Sequence, residues 1–201
     1  MNYKNYYWFF DKALSNKICD DILKIGKSSQ IKKALTGSSK KYSKEVQKIR
    51  KSNIAWLNEQ WIYKEIQPYI QTANINAGWN FDWNFSESCQ FTEYKKNQFY
   101  DWHCDGWDEP YNVPENPNTH GKIRKLSVTV SLSNPEDYKG GELEFDLRNK
   151  SHGKPNIIKC KEILPRGSLV VFPSDVWHRV TPVTKGTRYS LVIWNLGYPF
   201  K

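Results

Sequence analysis

Between residues 79 and 195 the sequence is a series of short apolar runs separated by turn-forming residues. Runs of this kind at regular spacing predict β-strands, and a long series of them is typical of an antiparallel sandwich or barrel. Strands are predicted at residues 79–85, 88–94, 99–105, 125–132, 141–147, 156–163, 168–172, 177–181 and 188–195. The greater part of this chain is therefore expected to be β-rich.

The N-terminal part shows helical periodicity instead. Ser15 and the isoleucines after it predict a helix over residues 15–28, which Gly26 and the following serines end. A second helix is predicted over residues 58–75, where Pro68 should kink or split it. This part of the chain is therefore expected to supply helices.

Two polar segments are predicted to be loops. Residues 27–51 are rich in Lys and Ser and predict a long loop or mobile flap, which could include a short helix near Lys44–Lys48, and a short strand follows at residues 52–57. Residues 106–121 contain three prolines and predict a second long loop, of the kind that often forms a lid. A chain of 201 residues fits a single domain, with a helical N-terminal elaboration (1–78) and a β-rich core (79–201).

Charge and cysteine content limit the setting and the partners. The formal net charge of +9 favours an acidic partner or an anionic co-substrate, although an ordinary solvated surface also explains it. Lysines in the first third leave a nucleic-acid partner open without favouring it, because no ladder of aromatic residues accompanies them. The four cysteines lack zinc or redox spacing, and no apolar run suits a signal peptide or a membrane span. We therefore expect a cytoplasmic protein with free thiols and no membrane partner, of undetermined oligomeric state.

The first residues that carry chemistry lie in the run Tyr100-Asp101-Trp102-His103-Cys104-Asp105. On a strand, His103 and Asp105 would point to the same face, because side chains alternate with a period of two. An imidazole and a carboxylate side by side can occupy adjacent positions on a metal, whereas Cys104 would point away. Taken alone, this spacing is a weak signal.

A third ligand is available at His178, which follows an apolar strand and a Pro-Ser-Asp turn. Two His and one carboxylate on one face of an octahedron leave the other face open, which suits non-haem Fe(II). Ten residues later, Arg188 follows a predicted hairpin turn at Gly186 and should lie on the strand paired with that of His178. An inward-pointing Arg is costly to bury unless it meets a carboxylate, which a diacid ligand would supply.

These motifs together resemble the prolyl 4-hydroxylase-like branch of the 2-oxoglutarate/Fe(II)-dependent oxygenase superfamily. The resemblance rests on His103-x-Asp105, on Gly140-Gly141-Glu142-Leu143, on His178-Arg179-Val180-x-Pro182-Val183-x-x-Gly186-x-Arg188, and on Arg50-Lys51-Ser52 with Trp56-Leu57 upstream. It covers about residues 50–197. It implies a β-rich α+β fold, a double-stranded β-helix (jelly roll, cupin-like) with the metal at one mouth and N-terminal helices packed on one sheet.

The resemblance also implies roles for individual residues. It assigns His103, Asp105 and His178 to Fe(II), Arg188 to the distal carboxylate of 2-oxoglutarate, Tyr94 to the wall of the co-substrate pocket, and Trp194 to an aromatic position near the metal. Where the family often has a Tyr that helps hold the distal carboxylate, this chain has Ser131. The smaller hydroxyl could still donate a hydrogen bond, directly or through water.

The implied activity is hydroxylation of an unactivated C–H bond with release of succinate and CO₂. Fe(II) would be the cofactor, 2-oxoglutarate and O₂ the co-substrates, and ascorbate an optional stimulant. The resemblance favours a prolyl residue in a peptide or protein, and Trp102, Trp107 and Tyr111 are candidate substrate contacts. Ordinary packing explains Trp102 at least as well. No catalytic residue beyond the metal ligands is expected, because the metal carries the chemistry.

Three alternatives remain open on the residues alone. The same chemistry could act on a free amino acid, a small metabolite or a nucleobase, although the nucleic-acid-repair branch usually has a second Arg where this chain has Trp194. A catalytically silent β-sandwich could serve as a binding module, although the ligands and Arg188 are all retained. A zinc hydrolase built on two His and one Asp would leave Arg188 without a role.

Overall fold

The computed structural model describes residues 3–35, 43–106, 109–147 and 154–200. Its helices are α1 (Asn16–Ser28), α2 (Lys44–Ile49) and α3 (Gln60–Asn76). Its strands, in chain order, are β1 (Trp8–Phe10), β2 (Lys32–Lys33), β3 (Arg50–Lys51), β4 (Asn53–Leu57), β5 (Phe85–Ser86), β6 (Cys89–Tyr94), β7 (Phe99–His103), β8 (Ile123–Ser131), β9 (Tyr138–Gly140), β10 (Leu143–Asp146), β11 (Ile157–Lys159), β12 (Leu169–Pro173), β13 (Trp177–Val180), β14 (Val183–Gly186) and β15 (Arg188–Gly197). Short 3₁₀ helices lie at Pro135–Asp137 and Lys161–Ile163.

Two sheets and a separate ribbon organise these strands. The larger sheet has the order β1-β12-β8-β15-β6-β4-β2, with β5 also paired to β15, and the smaller has the order β11-β10-β13-β7-β3. The ribbon consists of β9 and β14. All these pairings are antiparallel. The predicted site residues lie on interior strands of the two sheets. His103 and His178 are on β7 and β13 of the smaller sheet, and Arg188 is on β15 of the larger one.

Helices α1 and α3 cover the larger sheet. Ile22, Ile62, Ile66 and Ile70 are fully buried, and they belong to one core cluster with sheet residues such as Phe91. Burial of each such side chain stabilises the fold by about 2 kcal/mol. Because the same strands face the smaller sheet on their other side, β6 and most of β8 are buried along almost their whole length.

The two predicted helices form, but Gly26 does not end the first and Pro68 does not split the second, while a kink at Pro68 stays a prediction. Gly26 lies inside α1. A Cβ at this position would lie 2.4 Å from the Phe91 ring, so the absence of a side chain allows α1 to pack closely against the larger sheet. Pro68 lies inside α3 and does not split it. Pro68 is exposed, so its ring projects towards solvent, and its carbonyl accepts a hydrogen bond of 2.8 Å from the Thr72 hydroxyl.

The strand predicted at residues 79–85 is wrong except for its last residue. Residues 79–84 are irregular because buried Asn74 holds them by a side-chain clamp. The Asn74 amide donates to the Phe81 carbonyl and its oxygen accepts from the Phe81 N–H, both at 2.9 Å. The strand predicted at 156–163 also ends early, since β11 stops at Lys159 and a 3₁₀ helix follows.

The N-terminal part contributes strands as well as helices. β1 pairs with β12 and β4 pairs with β6, so both extend the larger sheet. In the segment predicted as a long loop at residues 27–51, the short helix expected near Lys44–Lys48 forms as α2, and the strands β2 and β3 were not predicted. β3 pairs with β7 beside the predicted metal ligands. Residues 36–42 of that segment lie outside the described residues. In the parts of the chain that the structure describes, no helix is long and apolar enough to cross a membrane.

Candidate metal centre

His103 and His178 meet across two paired strands of the smaller sheet. They are direct partners in the β7–β13 register, and their ring centroids are 4.1 Å apart. Asp105 lies beside both, with its carboxylate 3.7 Å from Nε2 of His103 and 3.5 Å from Nε2 of His178. One donor atom from each of the three side chains lies within 4.8 Å of the others. The structure therefore brings together the three ligands predicted from the sequence.

Asp105 reaches this position from a turn and not from the strand. β7 ends at His103, so the predicted strand 99–105 is too long and simple alternation does not explain the pairing. The backbone N–H groups of Asp105 and Gly106 both donate to the Ser174 carbonyl, at 2.9 Å and 2.8 Å. Ser174 follows β12, so the carboxylate is held by the end of a strand in the larger sheet. Cys104 is not part of the ligand group, as predicted.

A β-bulge places Tyr100 beside His103. Between Val180 and His178 strand β13 advances two residues, while β7 advances three, from Tyr100 to His103. The extra residue brings Tyr100 and His103 to the same face, although they are three positions apart. Their rings stack with centroids 3.5 Å apart and planes 12° from parallel. Sequence analysis missed Tyr100, because regular alternation would have placed it on the opposite face.

A backbone carbonyl orients each of the two imidazoles through Nδ1. Nδ1 of His103 lies 2.7 Å from the Asp101 carbonyl, and Nδ1 of His178 lies 3.0 Å from the Val176 carbonyl. A neutral imidazole that donates from Nδ1 to a carbonyl keeps a lone pair on Nε2 for the metal. Burial, reinforced by the nearby His178, lowers the pKa of His103 to about 3, so its imidazole is neutral near pH 7.

The carboxylate is held in its charged form. Burial acts to raise the pKa of Asp105, but the neighbouring His178, His103 and Arg124 outweigh it and lower the pKa to about 2. Two imidazoles and one carboxylate on one side of a cavity are the donor set of a facial site for non-haem Fe(II). The described residues contain no other cluster of three or more His, Cys, Asp or Glu with this convergence. The donor set therefore fits Fe(II).

Arg188 lines the same cavity from the opposite sheet. β15 pairs with β6 and β8, so the predicted pairing of its strand with that of His178 is wrong. The chain leaves the smaller sheet at β14, which pairs with β9, and then enters the larger sheet. The guanidinium and the metal ligands thus face each other across the cavity between the sheets.

The Arg188 guanidinium is buried without an acidic partner. The residue is 3% exposed, Nη1 donates to the Ser190 hydroxyl at 3.2 Å, and Cζ lies 5.6 Å from the centre of the Tyr94 ring. No carboxylate of the described residues lies within salt-bridge distance of it. Because a buried, unneutralised charge costs several kcal/mol, this arrangement favours an anionic ligand. A dicarboxylate that reaches from the metal to Arg188 fits that requirement.

Arg50 is a second buried cation at this cavity. It is 5% exposed, its Cζ lies 4.4 Å from the centre of the Tyr100 ring, and its Nε donates to the Ser52 hydroxyl at 3.0 Å. The motif Arg50-Lys51-Ser52 was noted in the sequence, but no site role was predicted for it. Arg50 therefore covers the outer face of the ring that stacks on His103.

Trp194 lies near the metal ligands, as predicted. Its indole N–H is buried without a hydrogen-bond partner in the described part of the chain, and its position beside Asp105 helps to lower the pKa of that carboxyl. Arg124 stacks on it with Cζ 3.8 Å from the ring centre, and donates two bonds to Glu87, at 2.9 Å and 2.7 Å. Sequence analysis missed Arg124 and Glu87, which are 37 positions apart and form no local motif.

Ser131 does not line the cavity, and Thr129 and Ser190 do. The Ser131 hydroxyl instead donates to the Ser133 carbonyl at 3.4 Å. Its backbone is held by the turn before β12, with its N–H bonded to the Ser168 carbonyl at 2.9 Å. The hydroxyl groups that line the cavity with Arg188 therefore belong to Thr129 and Ser190, and not to Ser131.

The two predicted substrate contacts that the structure describes, Tyr111 and Trp102, do not line the cavity that holds the metal ligands. The Tyr111 hydroxyl donates to Glu87 at 2.9 Å, so Tyr111 contacts the Glu87–Arg124 pair. Trp102 points away from the cavity, and the Arg179 guanidinium stacks on its ring with Cζ 4.6 Å from the centre. That contact supports packing on the outer face of the smaller sheet. Trp107 lies outside the described residues.

This chain is similar in sequence and structure to several known hydroxylases. The chain is 38% identical over 104 residues to the PKHD-type hydroxylase YbiX of Escherichia coli, a match that covers 52% of this chain and 40% of that relative. The viral collagen prolyl hydroxylase of Paramecium bursaria Chlorella virus-1, solved with 2OG, has a TM-score of 0.67 at 21% identity, over 96% of this chain and 97% of the other. A prolyl hydroxylase from Trichoplax adhaerens, solved with a hypoxia inducible factor peptide fragment, has a TM-score of 0.64 at 17% identity. This likeness covers 96% of this chain and 84% of the other.

The likeness to solved structures confirms the predicted fold, a double-stranded β-helix. The family model described as the 2OG-Fe(II) oxygenase superfamily matches residues 89–195, a segment that contains all three metal ligands and Arg188. This match confirms the family predicted from the sequence, with its Fe(II) cofactor and 2-oxoglutarate co-substrate. Because it covers more than half of the chain, this protein belongs to the 2OG-Fe(II) oxygenase superfamily.

Proposed function

We propose that this chain is an Fe(II)- and 2-oxoglutarate-dependent dioxygenase that hydroxylates an unactivated C–H bond of a prolyl residue in a peptide or protein. One observation carries the proposal. A single cavity combines a three-ligand metal site with Arg188, a buried cation that no acidic side chain of the described residues neutralises. A metal site alone would fit several chemistries, whereas a metal opposite a free guanidinium fits a co-substrate with two carboxylates.

The three ligands would hold Fe(II) on one face and leave the positions opposite them open. When bound, Fe(II) supplies O₂ activation, which couples oxidation of 2-oxoglutarate to succinate and CO₂ with hydroxylation of the substrate. The carbonyl groups of Asp101 and Val176 orient the two imidazoles. No protein base is needed, so the roles left to the protein are binding, orientation and exclusion of water.

Arg188 would bind the distal carboxylate of 2-oxoglutarate through two parallel hydrogen bonds. The Ser190 hydroxyl holds the guanidinium in place, and the ring of Tyr94 lies against it. The rest of the wall is largely apolar and includes Leu143, Phe172 and Val192. An apolar wall strengthens the interaction between guanidinium and carboxylate, because it lowers the local dielectric constant.

Two observations support a prolyl substrate. Two of the structures that align with nearly the whole chain are prolyl hydroxylases, and one of these was solved with a peptide fragment. An aromatic surface also extends outward from the metal ligands, since Trp56 is half exposed and its ring lies 6.2 Å from that of Trp194. Extended peptides commonly bind along aromatic grooves.

The test is formation of succinate and of a product heavier by one oxygen. Purified protein with Fe(II), 2-oxoglutarate and O₂ is offered proline-containing peptides, the same peptides with Ala in place of Pro, free proline and a methylated nucleobase. The proposal expects oxygen incorporation into the proline peptides alone. Turnover confined to free proline or to the nucleobase would overturn the substrate assignment, and no succinate with any of them would point to a binding module.

The metal assignment is tested by a pair of histidine variants. His178→Ala removes a ligand and should abolish succinate formation. His120→Ala is the matched control, because His120 is exposed in a loop and its Nδ1 only accepts a bond from the Val113 N–H. Full activity of His178→Ala would contradict the metal site.

A further inference from the structure

On the outer side of the larger sheet a groove of about 730 Å³ lies away from the metal ligands. Its walls come from the irregular segment 79–84, from α3 and from the C-terminal segment 197–200. Aromatic rings dominate the lining, contributed by Trp79, Phe81, Trp83, Tyr198 and Phe200. Lys125 lines the same groove from β8. Its neighbour Arg124 faces the metal ligands, so Lys125 and the metal site lie on opposite faces of one sheet.

Lys125 is a largely buried lysine whose ammonium group opens onto the groove and makes no hydrogen bond or salt bridge within the described residues. The residue is 4% exposed, and no acceptor or carboxylate of the described residues contacts its ammonium group. Its Nζ lies 3.4 Å from the centre of the Phe200 ring, which offers only a cation–π contact. Burial lowers the pKa of this lysine. An ammonium group that opens onto a groove with no salt bridge to neutralise it favours an anionic ligand there.

Specific contacts hold the two irregular segments that form the walls of the groove. The Asn74 side chain clamps the backbone of Phe81 on both sides, and the backbone N–H of Trp79 donates to the Asn74 carbonyl at 3.1 Å. On the other wall, a Cβ on Gly197 would lie 2.0 Å from the Asp82 carbonyl oxygen, so the two segments approach as closely as their backbones allow. These contacts fix the backbone of the two segments that carry the aromatic residues.

The polar groups in the groove indicate which anion it suits. The Asp82 side chain is exposed and stands near Lys125, beyond salt-bridge distance, where it interacts favourably with the ammonium group. An anion with an N–H donor next to it can satisfy both charges, whereas a bare phosphate would be repelled by Asp82. Aromatic walls further require an apolar side chain on the ligand. The C-terminal residue of a peptide has all three features: a carboxylate, an amide N–H and a side chain.

We propose that this groove binds the C-terminal residue of a peptide or protein, with its carboxylate on Lys125, its amide N–H towards Asp82 and an apolar side chain among the aromatic rings. The site is separate from the metal centre and goes beyond the proposed hydroxylation. It gives the protein a second contact for a partner chain.

The test is calorimetric titration of the full chain with N-acetyl-L-phenylalanine, its uncharged primary amide, and phenyl phosphate. The acid should bind saturably at one site per chain. The amide should bind at least about tenfold more weakly, because it leaves the buried ammonium group unpaired. Absence of saturable binding of the acid, equal affinity for the amide, or tighter binding of phenyl phosphate would each overturn the proposal.

Variants identify the cation. Lys125→Met should weaken binding of the acid at least about tenfold, while Lys125→Arg keeps the charge and should stay within about threefold. Lys122→Met is the matched control: Lys122 is 5% exposed, lies 5.8 Å from the Phe85 and Tyr198 rings, and does not line the groove. Unchanged binding by Lys125→Met would overturn the assignment. If that variant does not fold, the comparison of acid with amide on the unmodified protein decides alone.

His178→Ala separates this proposal from the previous one. The variant lacks a metal ligand, so it should form no succinate, yet it should bind N-acetyl-L-phenylalanine as tightly as the unmodified protein. Loss of both properties would overturn the independence of the groove from the metal site.

Discussion

The ring of Tyr100 stacks on the imidazole of His103, with 3.5 Å between the ring centroids. Arg50 covers the other face of the tyrosine ring, with Cζ 4.4 Å from its centre. Burial raises the pKa of Tyr100 to about 12, so the ring is neutral near pH 7 and adds no charge beside the metal. A metal ligand is therefore held by a backbone carbonyl at Nδ1 and by an aromatic ring against its face.

Replacement of Tyr100 should separate ring stacking from hydroxyl chemistry. Tyr100→Leu removes the ring and should weaken metal binding by about tenfold, the lower end for groups that orient a ligand. Tyr100→Phe keeps the ring and should bind metal nearly as tightly as the unmodified protein. Metal affinity measured by calorimetry with Fe(II) under anaerobic conditions, or with Co(II), checks this. Equal losses in both variants would assign the effect to the hydroxyl group.

Arg188→Ala should mainly raise the concentration of 2-oxoglutarate needed for turnover. The variant loses a charge-assisted contact worth about 2–3 kcal/mol, which corresponds to about 30- to 150-fold weaker binding of 2-oxoglutarate. The three metal ligands remain, so metal affinity should be unchanged. Succinate formation as a function of 2-oxoglutarate concentration gives the measurement. Arg179→Ala, which removes a guanidinium that stacks on Trp102 on the outer face, is the control. If Arg188→Ala instead lowered metal affinity and left the required 2-oxoglutarate concentration unchanged, Arg188 would not be the residue that binds the co-substrate.

Gly186 should tolerate no side chain. It has φ of +72°, and a Cβ would lie 2.0 Å from the Asp137 carbonyl oxygen, inside the β9–β14 ribbon that precedes Arg188. Gly186→Ala should lower the free energy of unfolding by about 3 kcal/mol or more, since backbone strain and a backbone clash add. Gly78→Ala, at φ of +75° with no atom within 4 Å of the new Cβ, should cost only about 1 kcal/mol. Urea denaturation compares the two, and similar losses would show that the contact with Asp137 is unimportant.

Thiol reactivity should distinguish Cys104 from the buried cysteines. Burial raises the pKa of Cys89 and Cys160 to about 12 and also raises that of Cys19. The thiolate is the nucleophile, and at pH 8 the thiols of Cys89 and Cys160 are almost wholly protonated. Their reactivity should rise only as the pH approaches their pKa. Cys104 is half-buried and bonds only weakly, at 3.3 Å, to the Gly106 carbonyl.

Iodoacetamide at pH 8 should therefore modify Cys104 first in the native protein and all four cysteines after denaturation. Mass spectrometry of the peptides gives the extent at each position. Modification of Cys89 or Cys160 at the rate of Cys104 would contradict the burial of these thiols.

The sequence by itself determined the fold class and the identity of the metal ligands. Most strands could be predicted because alternation and turn residues are local properties of the chain. His103, Asp105, His178 and Arg188 could be predicted because a metal and a diacid demand particular residue types, whatever holds them. The helices over residues 15–28 and 58–75 followed from local periodicity in the same way.

Only the tertiary structure decided how these groups meet. Asp105 is placed by the Ser174 carbonyl, Tyr100 by a bulge against β13, and Arg188 by the passage of the chain into the other sheet. Each depends on which distant strands pair and in what register, and no local pattern encodes that. The same reason hid Lys125, since neither its burial nor the aromatic groove before it exists until α3, the 79–84 segment and the C-terminal segment pack together.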